Sequence, residues 1–363
     1  MARKIFLGIG CGPIQTGIFI SGAHKAGFEK IIIAEVNPVL VEKIRQAGSI
    51  TINISTNEGV KKAVFDRVEI YNPFVEEDLE VLKKYAAEAD VLNTALPGTK
   101  FYPSSAKWLK EAFARNPEKT HYFYTSENST TAADDLHKAM GDDFPKTYYL
   151  DTVIGKMSKI FKNSENDYPV LAPGLEMGHL VEEFNEIYSS DAPGLEEAAP
   201  AGVYAKADLG PFEEAKLYGH NASHFVLGLA LSMRGCGYMS EGTMYPEVMK
   251  EVRDCLIHEC GQALCKKYAG FDPYFEMGNF TVWADELIQR MVSSYLTDSV
   301  ERIIRDLDRK LGYADRSIGA IRLCLSQGVE PTILIRYARF AASRWAFQKL
   351  SEDWPDKQLL KKF

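Results

Sequence analysis

At 363 residues, 46% of them hydrophobic and 25% charged, the chain is long enough for about two domains, each with its own core. A formal net charge of −8 supplies no basic field for nucleic acid or an anionic membrane, so neither is expected as a partner. Six cysteines in a chain of this length read as the reduced thiols of a cytoplasmic protein, and the first apolar run, broken by glycine and Pro13, reads as neither signal peptide nor membrane span.

Residues 4–10 (KIFLGIG) predict a strand that runs into GCGPIQTG, where Gly10, Gly12 and Gly17 precede an apolar stretch able to open a helix. Strand, glycine turn and helix together form a dinucleotide-binding element: the backbone approaches a pyrophosphate, and the helix N-terminus faces its charge. Gln15 stands where a third glycine is usual, so closest helix-to-strand packing is not expected there. Residues 30–36 (KIIIAEV) predict a second strand that reaches Glu35, placed to receive adenosine ribose hydroxyls and to repel a 2′-phosphate. That favours NAD over NADP, although a solvated acid at a strand end has the same appearance.

Strands at 91–95 and 121–126 then alternate with helical stretches from Ser104 and over 130–140, the pattern of a parallel sheet covered by helices. VEEFNEIY (181–188) alternates apolar and polar residues and predicts one further strand. The Pro-, Gly- and acid-rich stretch 189–202 marks the expected boundary between domains at 1–198 and 199–363. Beyond it the period is helical over 212–234, 244–268, 280–310, 316–326 and 331–350, with 356–363 as a frayed helix end. The expected fold is α/β, a Rossmann-type doubly wound domain followed by a mainly α-helical domain.

KLYGHNASH (216–224) places Lys216, Asn221 and His224 on the first of these helices, within roughly 140° of one another at 100° per residue. An amine, an amide and an imidazole suit proton removal from a carbinol and steadying of the resulting oxyanion; a polar stripe on a solvated helix would show the same spacing. Cys255, His258 and Cys265 contain no CxxC, and His220 and His224 lack the intervening glutamate of HExxH, so no metal is expected. The mixed-charge segment 298–316 offers guanidinium and ammonium groups suited to phosphate oxygens, with Arg302 and Lys310 the chosen members; an ion-paired, solvated helix is the alternative.

Taken with AEVN (34–37), NTALPG (93–98), TSEN (125–128), YLDTVIGKM (149–157), VEEFNEIY, KKYAGFDP (266–273) and the segment 295–316, the glycine turn and the KxxxxNxxH spacing resemble the polyol-specific long-chain dehydrogenases of the mannitol dehydrogenase family. The resemblance implies a metal-independent NAD(H)-linked oxidoreductase interconverting a polyol, or its phosphate, and a ketose, with mannitol 1-phosphate and fructose 6-phosphate the preferred pair. By position, Lys216 becomes the acid/base, Asn221 and Asn128 hold the substrate oxygen, and His224 orients the substrate. Cofactor contacts are implied at Gly10, Cys11, Gly12, Pro13, Ile14, Gly17, Glu35, Asn37, Leu96 and Glu127. Thr16 stands where the family's glycine turn commonly has arginine, and Gly155, Lys156 and Met157 replace a frequent Val, Asp, Arg run. A free-polyol dehydrogenase or hexuronate reductase of the same family is the alternative enzyme, and an inactive NAD-sensing or scaffold protein is the alternative class. A monomer or homodimer is expected.

Overall fold

The computed structural model describes residues 4–296 and 298–353; the expected frayed end at 356–363 lies outside them. The chain divides into two compact units, one ending at Leu209 and the other beginning at Gly210.

In the first unit, β1 (Ile5–Ile9), β2 (Lys30–Ala34), β5 (Val68–Tyr71), β6 (Val91–Thr94), β7 (His121–Thr125) and β8 (Thr147–Leu150) form a parallel sheet in the order β5-β2-β1-β6-β7-β8. Alternate residues feed two cores. Phe6, Ile31 and Ile33 face one way, and Leu7, Ile9, Ile32 and Ala34 the other, as the two-residue period of a strand buried on both faces requires. The order reverses between β1 and β6, which makes their carboxyl ends the switch point where doubly wound sheets bind ligands.

Two smaller sheets complete this unit. Between β2 and β5 the chain makes the antiparallel pair β3 (Ser49–Thr56) and β4 (Gly59–Asp66), and β3 joins β11 (Met177–Glu182) and β10 (Ser158–Lys162) in a four-stranded sheet. The third comprises β9 (Thr152–Val153), β12 (Ile187–Ser190) and β13 (Val203–Lys206). VEEFNEIY is therefore not one strand: its first two residues end β11, its last two begin β12, and the turn between them carries the chain from one sheet to another. The Pro-rich stretch 189–202 likewise does not separate the units. It holds the short helix Leu195–Ala198, and β13 beyond it pairs with β12, so the division falls after β13.

The second unit is helical. One continuous helix runs over 210–232, followed by 246–267 and by Met277–Met291, Ile318–Ser326 and Thr332–Asp353. The single helix expected over 280–310 is three. Met277–Met291 ends, Ser299 caps Val300–Ile304 by accepting the Arg302 N–H, and Asp306 at φ 58 turns the chain into Leu307–Lys310. Among the described residues no helix is long and apolar enough to cross a membrane.

Candidate functional site

At the switch point of the first unit, Gly10 has φ +89, and a Cβ there would stand 2.6 Å from the Ala95 carbonyl oxygen, so only glycine lets the ends of β1 and β6 meet. Gly12 differs, because a Cβ there would meet nothing within 4 Å; its bare backbone faces open space where the helix over 13–25 begins. Gly17 packs this helix on β11, where a Cβ would come within 2.6 Å of Val181 Cγ1. Gln15 resolves its own misfit with the glycine pattern. A Cβ at Gly8 would fall on the Gln15 amide, so the missing side chain in β1 makes room for the extra one in the helix.

A cavity of about 980 Å³ opens here, lined by Gly10, Cys11, Gly12, Pro13, Ile14, Glu35 and Leu96 among others. Glu35 Oε2 accepts the Cys11 N–H at 2.9 Å and Oε1 the Asn37 N–H at 2.8 Å, which fixes the carboxylate between the glycine turn and the end of β2. His179 on β11 joins the lining although nothing in the sequence singled it out. Its Nδ1 lies 2.8 Å from Thr16 Oγ1, and burial lowers its pKa to about 4, so the ring is neutral.

Three candidates have structural roles in the fold. Asn37 accepts the N–H groups of Val39 (3.0 Å) and Leu40 (3.4 Å) as the N-cap of Pro38–Ala47, a role legible in the Asn-Pro pair. Glu127 is buried behind the cavity wall. Its carboxylate accepts from Thr94 Oγ1 (2.8 Å), Leu96 N (2.8 Å), Ser126 N (3.1 Å) and the Tyr102 hydroxyl, bracing the ends of β6 and β7. Gly17 serves packing, as described. Asn128, one residue beyond Glu127, is exposed.

In the second unit, Lys216 lies in a wide turn, Ala215–His220, flanked by α-helix. The Asn221 N–H donates to the Lys216 carbonyl, an i to i+5 bond. An ordinary helix would leave these residues about 140° apart, whereas a π-turn stacks them on one face. Lys216 Nζ makes no hydrogen bond or ion pair with a described residue, and neither does the Asn221 amide. Burial is the main cause that lowers the Lys216 pKa below the ordinary lysine value; Glu213 opposes the shift and Arg316 adds to it.

One turn after His224, Gly228 admits the helix Val300–Ile304: a Cβ there would stand 2.6 Å from Ile303 Cγ2. This approach leaves His224 Nε2 without a hydrogen bond, 4.0 Å from Asp298 Oδ2. Burial pulls the His224 pKa to about 4 against Asp298, helped by Arg302, Arg316 and Lys310, so this imidazole is neutral too. Both candidate phosphate ligands are committed internally. Arg302 sets its fork on Asp298 (Nε to Oδ1, 2.5 Å), and buried Lys310 donates to the Ile303 carbonyl at 2.6 Å, with burial and Arg316 lowering its pKa to about 8.

His220 is buried with its ring 5.9 Å from that of His224, and His258 is exposed while Cys255 and Cys260 are buried. The segment Cys255–Gly261 is itself π-wound. Among the described residues no three His, Cys, Asp or Glu side chains gather as a metal site requires.

Residues 208–349 match the mannitol dehydrogenase C-terminal domain. Mannitol-1-phosphate 5-dehydrogenase of Lacticaseibacillus casei is 26% identical over 338 residues, covering 90% of this chain and 84% of that protein. The enzyme of the same name from Caldanaerobacter subterraneus is 27% identical over 342 residues, covering 91% and 83%. The second unit therefore carries the C-terminal domain of mannitol dehydrogenases. Solved structures share the fold of the chain at low identity. Pseudomonas fluorescens mannitol 2-dehydrogenase, determined with NAD and D-mannitol, superposes with a TM-score of 0.65 at 13% identity, covering 96% of this chain and 80% of that one. A D-sorbitol dehydrogenase superposes at 0.71 with 12% identity, covering 93% and 80%.

Proposed function

We propose that this protein is an NAD(H)-linked polyol dehydrogenase that interconverts mannitol 1-phosphate and fructose 6-phosphate. The observation that carries the reading is the stacked pair of Lys216 and Asn221, whose side chains have no partner among the described residues, with the lysine held toward its neutral form by burial and by Arg316.

The first unit fits a dinucleotide. Gly12 leaves its backbone open beside a helix N-terminus, Gly10 and Leu96 line the cavity, and Glu35 stands where ribose hydroxyls are received and a 2′-phosphate is repelled. When bound, the nicotinamide supplies hydride transfer; the protein supplies geometry and proton handling. In polyol oxidation neutral Lys216 takes the carbinol proton at Nζ, and in ketose reduction the ammonium returns it. Asn221 and Asn128 are assigned as amide donors to the substrate oxygen, where negative charge develops, and neutral His224 as the contact to a neighbouring hydroxyl. Six unpaired thiols, five of them buried, support a reducing, cytoplasmic setting.

The test is NADH oxidation with fructose 6-phosphate, fructose, tagaturonate and fructuronate offered separately. Fructose 6-phosphate is expected to give the highest kcat/KM. A preference for fructose or a hexuronate would move the reading to the other branches of the family, and NADH binding without turnover of any of the four would remove the enzyme reading.

A further inference from the structure

The loop that carries Arg316 is latched to the wide turn that carries Lys216. Tyr218, in that turn, donates its hydroxyl to the Ala314 carbonyl at 3.2 Å, and a Cβ at Gly319 would stand 2.5 Å from Tyr218 Cε1. The arginine is pinned at one end. Its Nε donates to Asp315 Oδ1 at 2.8 Å, its backbone N–H to the same oxygen at 2.6 Å, and Asp315 Oδ2 accepts from Arg309 Nη1 at 3.2 Å. The side chain is 17% exposed, and Nη1 and Nη2 donate to no described protein group.

Three cations bear on His224: Arg302, Arg316 and Lys310. Arg302 is spent on Asp298 and Lys310 on the Ile303 carbonyl, so Arg316 alone of the three keeps two unengaged guanidinium nitrogens. Its charge bears on Lys216, His220, His224 and Lys310 alike, and it favours the neutral form of each against the pull of Glu213, Asp298 and Asp306. A partly buried guanidinium fixed at Nε presents its outer N–H groups in one plane, which suits two oxygens of a phosphate or carboxylate and is lost in lysine.

We propose that Arg316 anchors the anionic end of the substrate and so decides for charged over uncharged ketoses, an inference that rests on the dehydrogenase reading above. The same contact couples substrate charge to the proton on Lys216. A bound anion offsets the guanidinium field and favours the ammonium, which is the form that ketose reduction requires.

The experiment compares wild type with Arg316→Gln and Arg316→Lys on fructose 6-phosphate, fructuronate and fructose. The glutamine variant should raise KM for the anionic substrates, so that their preference over fructose falls roughly tenfold or more, the worth of one lost charge-assisted pair. Lysine should restore part of it. Loss confined to fructose 6-phosphate identifies a phosphate site, and loss confined to fructuronate a carboxylate site. The pH at which reduction fails on the basic side should be higher with fructose 6-phosphate than with fructose, a gap that closes in the glutamine variant. An unchanged preference with an unchanged pH gap overturns the proposal. If wild type turns over none of the three, the dehydrogenase reading fails first. Titration of fructose 6-phosphate into the NADH-bound proteins then decides on Arg316, with equal affinity in wild type and variant counting against it. Should Arg316→Gln not fold, an Arg316→Lys protein with wild-type KM for fructose 6-phosphate overturns the proposal as well.

Discussion

The carboxylates singled out in the first unit and the bases singled out in the second differ in how they are partnered. Glu35 and Glu127 both accept backbone N–H groups, although His179 Nε2 on the same cavity wall has no hydrogen bond. Lys216 Nζ, the Asn221 amide, His224 Nε2 and the outer nitrogens of Arg316 have no partner among the described residues. A partly buried group without a partner weakens the fold, and it persists where a reacting molecule is to supply the missing partner.

The comparison breaks most visibly at Lys216. Lys216→Ala is expected to lower kcat by about 10² to 10⁴, the usual worth of a positioned acid or base, with NADH affinity within a few-fold of wild type by fluorescence titration. A variant keeping more than about a tenth of kcat would return Lys216 to the polar-stripe reading. On the satisfied side the cost should fall on stability. Glu127→Ala strands donors on Thr94, Leu96, Ser126 and Tyr102 and is expected to cost roughly 3 kcal/mol in denaturant unfolding; less than about 1 kcal/mol would mean the donors find other partners.

Acid should act on the first unit through His121 and His179, both buried and both with pKa values lowered by burial to about 4. Below the unfolded value of about 6.5 the unfolded chain binds more protons, so stability is full above that pH and falls as pH drops toward 4, by up to roughly 3 kcal/mol per ring. Replacing His179 with Gln should flatten the pH dependence of the unfolding midpoint over that window, and an unaltered slope would remove His179 from the account.

Cofactor choice is a smaller effect. Wild type should prefer NAD(H) over NADP(H) by at least about tenfold in kcat/KM, and Glu35→Ala should narrow that ratio. Equal use of both by wild type would leave Glu35 as a turn brace alone. The smallest expected effect is zero: dialysis against a strong chelator should leave the rate unchanged, and a loss restored by zinc would revive His220 and His224 as ligands.

What the sequence made legible was local. The strand, Gly10 and Glu35 could be placed because each depends on neighbours in the chain, and the lysine, asparagine and histidine announced themselves by spacing. Gln15 looked like a defect because its compensation, Gly8, is a packing partner across the helix–strand contact. The four-stranded sheet was missed even though SITINIST alternates, because its strands come from 49–66 and 158–182 and their pairing is set by tertiary structure. The break after Met291 escaped because helical period continues on both sides of it. Arg316 could not be told from Arg302, because each has an aspartate close by in the chain, and only the structure shows that Asp298 takes Arg302 through two nitrogens while Asp315 takes Arg316 through Nε alone.

The wide turn at Ala215–His220 can be understood as one residue more than an ordinary helix needs. Deleting a residue between 217 and 220 would let the segment wind normally, with the lysine and asparagine now four apart and about 40° from each other, still on one face. The shared face of Lys216 and Asn221 does not depend on the extra residue. Tyr218 does, since the wider winding sets where its ring meets Gly319 and its hydroxyl meets Ala314. A one-residue deletion would therefore separate two features of the helix, keeping the lysine and asparagine on one face while releasing the loop that carries Arg316.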